Sequence, residues 1–66
     1  IKGDFIPLGA RILAVAEAYI SLTSKRPYRD PWEARAAFNE IGKYVRSGKF
    51  DPSVVEKLGE IVDQID

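Results

Sequence analysis

Residues 8–23, LGARILAVAEAYISLT, carry only two charges, Arg11 and Glu17, and constrain the chain more than any other stretch. Leu8, Ile12, Val15, Tyr19 and Leu22 recur at i, i+4, i+7, i+11 and i+14, the period of an α-helix. Leu13, Ala16 and Ile20 widen that stripe to about half the circumference at 100° per residue. The opposite side is not a charged face. It carries Ala10, Ala14, Ala18 and Ser21, small enough for another helix to approach closely. Such a helix is built for contact on both sides, the habit of a central helix in a domain larger than this chain.

Two more helices are expected. Asp30-Pro31-Trp32-Glu33 reads as a start, with Asp30 as N-cap, Pro31 in the first turn and Glu33 three residues after the cap. The helix then runs over 31–46, with Ala34, Ala37, Phe38, Ile41, Tyr44 and Val45 on its apolar face. Gly42 in its interior predicts a bend or a close contact, and Gly48 a stop. Asp51-Pro52 opens the third helix, over 52–65, with Val54, Val55, Leu58, Ile61, Val62 and Ile65 on its apolar face. No segment alternates with a period of two, so the fold class is all-α.

The 66 residues make one small domain or a piece of a larger one. The chain contains neither cysteine nor histidine. That excludes disulfides, thiolate zinc sites and an imidazole base or ligand, and leaves carboxylates for any acid–base work. Lys plus Arg equals Asp plus Glu at 10 each, so no general attraction to DNA or to an anionic membrane is expected. No apolar run approaches the roughly 18 residues of a membrane span, and no signal-peptide pattern is present, which implies a cytoplasmic protein. The absence of methionine, even at position 1, implies an excised segment.

Two places can carry chemistry. Glu17 lies mid-helix at the edge of the apolar stripe, either a surface carboxylate or a metal ligand, although one carboxylate does not make a hydrolytic metal site. SKRPYRDPW, residues 24–32, gathers Lys25, Arg26 and Arg29 around Tyr28 and between two prolines. Pro27 and Pro31 push Arg26 and Asp30 towards extended backbone, which stiffens the connection. Arginine forks suit bidentate contact with phosphate oxygens. The alternative is a solvated turn in which Arg26 or Arg29 pairs with Asp30 or Glu33. Glu56, Glu60, Asp63 and Asp66 read as the solvated side of the third helix.

GDFIPLGARILAVAEAY, then LTSKRPYR, then FDPSVV, spanning residue 3 to about residue 58, resembles the C-terminal part of the HD-GYP domain. That family comprises bacterial metal-dependent phosphodiesterases that hydrolyse cyclic di-GMP. The resemblance implies a three-helix C-terminal subdomain of an HD-type helical bundle, covering 1–66. It implies that Arg26 and Arg29 stand where family members hold the phosphates of cyclic di-GMP, and that Glu17 stands where the last metal-ligating Asp is usual. The family pattern A-D-x-Y-D-A-L reads AEAYISL here, with Glu17 and Ile20 in place of the two aspartates. The family's divalent metal, iron or manganese, takes its histidines from a His-Asp pair and other segments that would lie upstream of Ile1. No cofactor is therefore expected in these residues, and the chain alone is expected to be inactive.

Two hypotheses follow: a C-terminal subdomain of an HD-GYP-type phosphohydrolase, or, as the alternative, a helical interaction and oligomerisation module or a degenerate cyclic di-GMP sensor. The unusually apolar first helix leads to the expectation of a homo-oligomer.

Overall fold

A computed structural model describes residues 6–65, which form three helices: α1 (Leu8–Thr23), α2 (Ala34–Val45) and α3 (Pro52–Ile65). Among the described residues there is no strand, and the all-α class read from the periodicity holds.

The bounds of α1 and α3 match the sequence pattern, but α2 starts later than expected. Residues 31–33 are not helical, and Glu33, not Asp30, occupies the N-cap position, with no side-chain cap bond. The cause is a tertiary contact. The Trp32 N–H donates to the Leu22 carbonyl at 2.9 Å, which holds this part of the connection against the end of α1. The Ala37 N–H then bonds to the Glu33 carbonyl at 2.9 Å, opening α2.

At the other end of α2, Gly48 has φ +82°, a left-handed conformation that side chains with a Cβ resist. The Gly48 N–H reaches the Val45 carbonyl at 3.0 Å and the Lys49 N–H reaches that of Tyr44 at 3.1 Å. This paired pattern is a Schellman stop, and it turns the chain into α3.

Asp51 caps α3 as its position before Pro52 predicts. Its Oδ1 accepts from the Ser53 N–H at 2.8 Å and from the Ser53 hydroxyl at 2.7 Å. Its Oδ2 accepts from Arg11 Nη1 at 2.5 Å, so one carboxylate both caps α3 and ties it to α1. A surface pair, Arg35 with Asp63, links the start of α2 to the end of α3. Both partners of that pair are exposed, so solvent screens it and its contribution is small.

The core takes Val15 from α1, Ala37 and Ile41 from α2, and Val55 and Val62 from α3. Phe50, from the connection after α2, completes it. Its ring meets that of Tyr44 edge-on, with centroids 6.3 Å apart. Gly42 does not mark a close contact, since a Cβ there would meet nothing within 4 Å. Gly59 does. A Cβ built on it would sit 2.8 Å from the Phe38 ring, so the missing side chain lets α3 close onto α2.

These two glycines should respond oppositely to substitution. Gly59→Val should destabilise by about 1–3 kcal/mol through overpacking. Gly42→Ala should stabilise by about 0.5–1 kcal/mol through helix propensity. Chemical denaturation measures both, and equal responses at the two sites would contradict the packing described.

Asp51 generates a pH prediction. The Ser53 hydroxyl, then the Ser53 N–H, and the Arg11 guanidinium hold its carboxyl below the ordinary 3.8, against the opposing effect of burial. A depressed folded-state value means that the stabilisation is complete above 3.8 and lost as pH falls through the folded-state value. The thermal midpoint should therefore fall in acid. Asp51→Asn, which keeps an acceptor for Ser53 but not the charge, should flatten that acid limb; an unaltered limb would show that other groups produce it.

Candidate functional site

The last carbonyls of a helix have no partners within it and must find donors elsewhere. At the end of α1 the following residues supply them. The Ser24 N–H donates to the Ile20 carbonyl at 2.9 Å, and the Thr23 hydroxyl donates to that of Tyr19 at 2.8 Å. Arg29 turns back over the helix end. Its Nη2 donates to the Ser21 carbonyl at 3.0 Å and its Nη1 to the Leu22 carbonyl at 3.3 Å. A guanidinium at this end also meets the negative pole of the helix dipole.

Pro27 and Tyr28 form the tip of the connection, between Arg26 and Arg29. The Arg29 N–H approaches the Arg26 carbonyl at 3.4 Å, a long bond that closes the turn. Arg26 folds towards the same helix end, with Nη2 at 3.5 Å from the Ser21 hydroxyl. Its Nε is buried and has no hydrogen-bond partner. Lys25 and Pro27 are exposed, and Tyr28 is 76% exposed.

The structure thus brings Arg26 and Arg29 together on Ser21, one at its hydroxyl and one at its carbonyl. Both side chains are half-buried, not splayed into solvent. No ion pair links either arginine to Asp30 or Glu33 among the described residues, so helix carbonyls, not neighbouring carboxylates, hold the connection. Ser21 is the residue that sequence reasoning missed as a functional partner. Its only signal was its place in the last turn of α1, and it was read as merely small.

Glu17 lies one turn before Ser21, exposed and without a polar partner among the described residues. No group of three or more carboxylates, histidines or cysteines able to hold a metal ion occurs among the described residues. Glu17 alone does not make a divalent-metal site among the described residues. What the arrangement can do is hold an anion, because both forks retain N–H donors beyond those used on α1.

A cleft of about 230 Å³ adjoins this site, between α1 and the end of α2. Ser21, Glu40, Tyr44 and Lys49 give it polar edges over Ile41 and Phe50. The Lys49 ammonium stands 5.1 Å from the centre of the Tyr44 ring and 5.6 Å from that of Phe50, which fixes one wall.

No helix among the described residues is long and apolar enough to cross a membrane. No solved structure matches the chain. The cyclic di-GMP phosphodiesterase response regulator RpfG of Xanthomonas campestris is 44% identical over 59 residues, covering 88% of this chain and 15% of that protein. The 3'3'-cGAMP-specific phosphodiesterase 2 of Vibrio cholerae is 37% identical over 65 residues, covering 97% of this chain and 12% of that protein. A cyclic di-GMP phosphodiesterase of Thermotoga maritima is 38% identical over 66 residues, covering 98% of this chain and 17% of that protein. This chain therefore spans less than a fifth of the length of these relatives. With residues 1–54 matching the HD domain family, and relatives of this kind along almost all of its length, the chain belongs to that family and is of the HD-GYP type.

Proposed function

We propose that this chain is the C-terminal helical part of a cytoplasmic HD-GYP-type phosphohydrolase acting on cyclic di-GMP or a similar cyclic dinucleotide, and that Arg26 and Arg29 contact its phosphates. The observation that carries the reading is the state of Arg26. Its guanidinium is half-buried and held by one long bond, with a buried donor left unpaired. Its terminal nitrogens spend only that bond on α1 and keep N–H donors for a phosphate oxygen. Arg29, already held by two carbonyls of α1, presents its remaining donors with little further ordering.

Recognition of phosphate at this place is consistent with the names of two relatives. Their names specify two different cyclic dinucleotides, cyclic di-GMP and 3'3'-cGAMP. What the two ligands share is the pair of bridging phosphodiesters, and an arginine fork reads those without regard to the base. In an intact enzyme, a divalent metal would draw its other ligands from residues outside this chain. Glu17, in place of the usual Asp, is at most one of them, and the chain alone binds without hydrolysing. The chain is also proposed to self-associate, because α1 buries only Val15 of its 16 residues.

The test is an NMR titration of the 66-residue chain with cyclic di-GMP. The reading expects shifts confined to residues 21–32, a dissociation constant of about 1 mM, weakening with added salt, and no linear dinucleotide product. Arg26→Ala should abolish the shifts while leaving α1 intact. Equal binding by Arg26→Ala, or shifts centred on Lys43 or Lys57 with the connection unaffected, would remove the phosphate role.

A further inference from the structure

The cleft beside Arg26 and Arg29 holds polar groups that phosphate contact does not use. Its volume is about 230 Å³. A dry cavity of about 150 Å³ already accepts benzene, so a bicyclic base has room here. Ala18 and Leu22 of α1, Ile41 of α2 and Phe50 give it an apolar lining. Apolar surface with a few placed polar groups is the usual make-up of a small-molecule site.

Two side chains of opposite charge line this cleft, Glu40 and Lys49, and they do not pair with each other. Glu40 is steadied from its own helix. Lys43 Nζ stands 3.2 Å from its Oε1, and the Tyr44 hydroxyl donates to its Oε2 at 3.5 Å. The Glu40 side chain is 25% exposed and that of Lys43 74%, so the carboxylate lies against the cleft and its partner in solvent. An ionised carboxylate offers about four acceptor positions, and these contacts leave some of them open. The Lys49 ammonium, over the Tyr44 and Phe50 rings, has no hydrogen bond or carboxylate partner among the described residues. Guanine matches this set. Its adjacent N1–H and N2–H donors suit a carboxylate, and its O6 and N7 accept from a lysine. Adenine turns an unprotonated N1 towards the same carboxylate and is repelled. An aliphatic side chain in the cleft would displace water from Glu40 and Lys49 and give neither a partner.

We infer that this cleft is a guanine subsite, in which the Glu40 carboxylate accepts from N1–H and N2–H and the Lys49 ammonium donates to O6 or N7. The inference rests on the phosphate reading above and extends it to the base. Ser21 joins the two places. It lines the cleft, and it takes Arg26 on its hydroxyl and Arg29 on its carbonyl. A base in the cleft and a phosphate on the arginines are therefore parts of one nucleotide, with its ribose passing over Ser21. The two recognitions are complementary. The arginine forks take any phosphodiester, and the cleft selects which dinucleotide brings it.

Parallel NMR titrations of the 66-residue chain with cyclic di-GMP and cyclic di-AMP test this, because the two share one phosphodiester ring and differ only in base. Taken alone, the phosphate reading confines the shifts to residues 21–32. The subsite adds Glu40, Tyr44, Lys49 and Phe50 with cyclic di-GMP. Cyclic di-AMP should shift the connection only and bind about 10-fold more weakly. Glu40→Gln, which sets an amide donor against the donors of guanine, and Lys49→Met, which keeps the stem without the charge, should each erase that preference. Both should leave the shifts at the connection. Circular dichroism checks folding, and if one variant loses helicity the other carries the test. Cleft shifts of equal size with both ligands, a cleft unmoved by cyclic di-GMP, or a preference that survives both variants overturns the subsite. The phosphate reading then stands as long as the connection responds. Cleft shifts with the connection unmoved overturn the phosphate reading and leave the subsite, and silence at both places overturns both.

Discussion

The C-terminal end of α1 governs the course of the chain around it. No glycine follows Thr23 to close the helix with a left-handed turn, so the carbonyls of Ser21 and Leu22 need donors from elsewhere. Arg29 and the Trp32 N–H provide them. Both donors lie beyond Pro27, so the connection must reverse at Pro27 and Tyr28 and run back along the helix end. The delayed start of α2 follows, because Trp32 is engaged before helical bonding begins. Arg29 therefore has a structural role in addition to any ligand, at a helix terminus of negative polarity whose Ser21 and Leu22 carbonyls take donors from the connection.

Much of the fold was legible in the sequence because it depends on local periodicity. The bounds of α1 and α3, the Asp51 cap and the Gly48 stop all follow from residues within one or two turns of each other. What was not legible depends on contacts between distant segments. Asp30-Pro31 carries a good start signal, yet the Trp32–Leu22 bond overrides it. Gly42 and Gly59 are alike as letters, and only the Phe38 ring distinguishes them. Arg11 and Asp51 are 40 positions apart, and no local pattern joins them. At the candidate site, the sequence named Arg26 and Arg29 but not Ser21, whose part depends on where the two side chains fold back.

The burial of the three helices runs against their apolar character. The most apolar helix, α1, buries one residue, while α3 buries Val55, Gly59 and Val62. The core forms where two strongly amphipathic helices, α2 and α3, face each other across Gly59. α1 crosses that pair through Val15, with Ala18, Tyr19 and Leu22 partly covered, and is fastened by Arg11 to Asp51. An ion pair with one half-exposed partner does not replace a packed face. The fold is thus complete at the α2–α3 seam and open along α1, and a helix left open in this way seeks further apolar cover.

The polar end of α1 and its apolar face also divide what the chain can contribute to catalysis. Donors that contact a phosphodiester in the bound substrate stabilise the ground state and the transition state together, and uniform binding of that kind does not raise a turnover rate. Acceleration requires an activated water or a proton donor that acts only as the bond breaks. The chain has no imidazole, and Glu17 stands exposed without a second ligand among the described residues. In the function proposed above, Arg26 and Arg29 take the other task, which is to place the phosphodiester for groups carried elsewhere. Positioning of this sort is effective only when the fork is rigid. Arg29, held on the carbonyls of Ser21 and Leu22, meets that requirement of the proposed role.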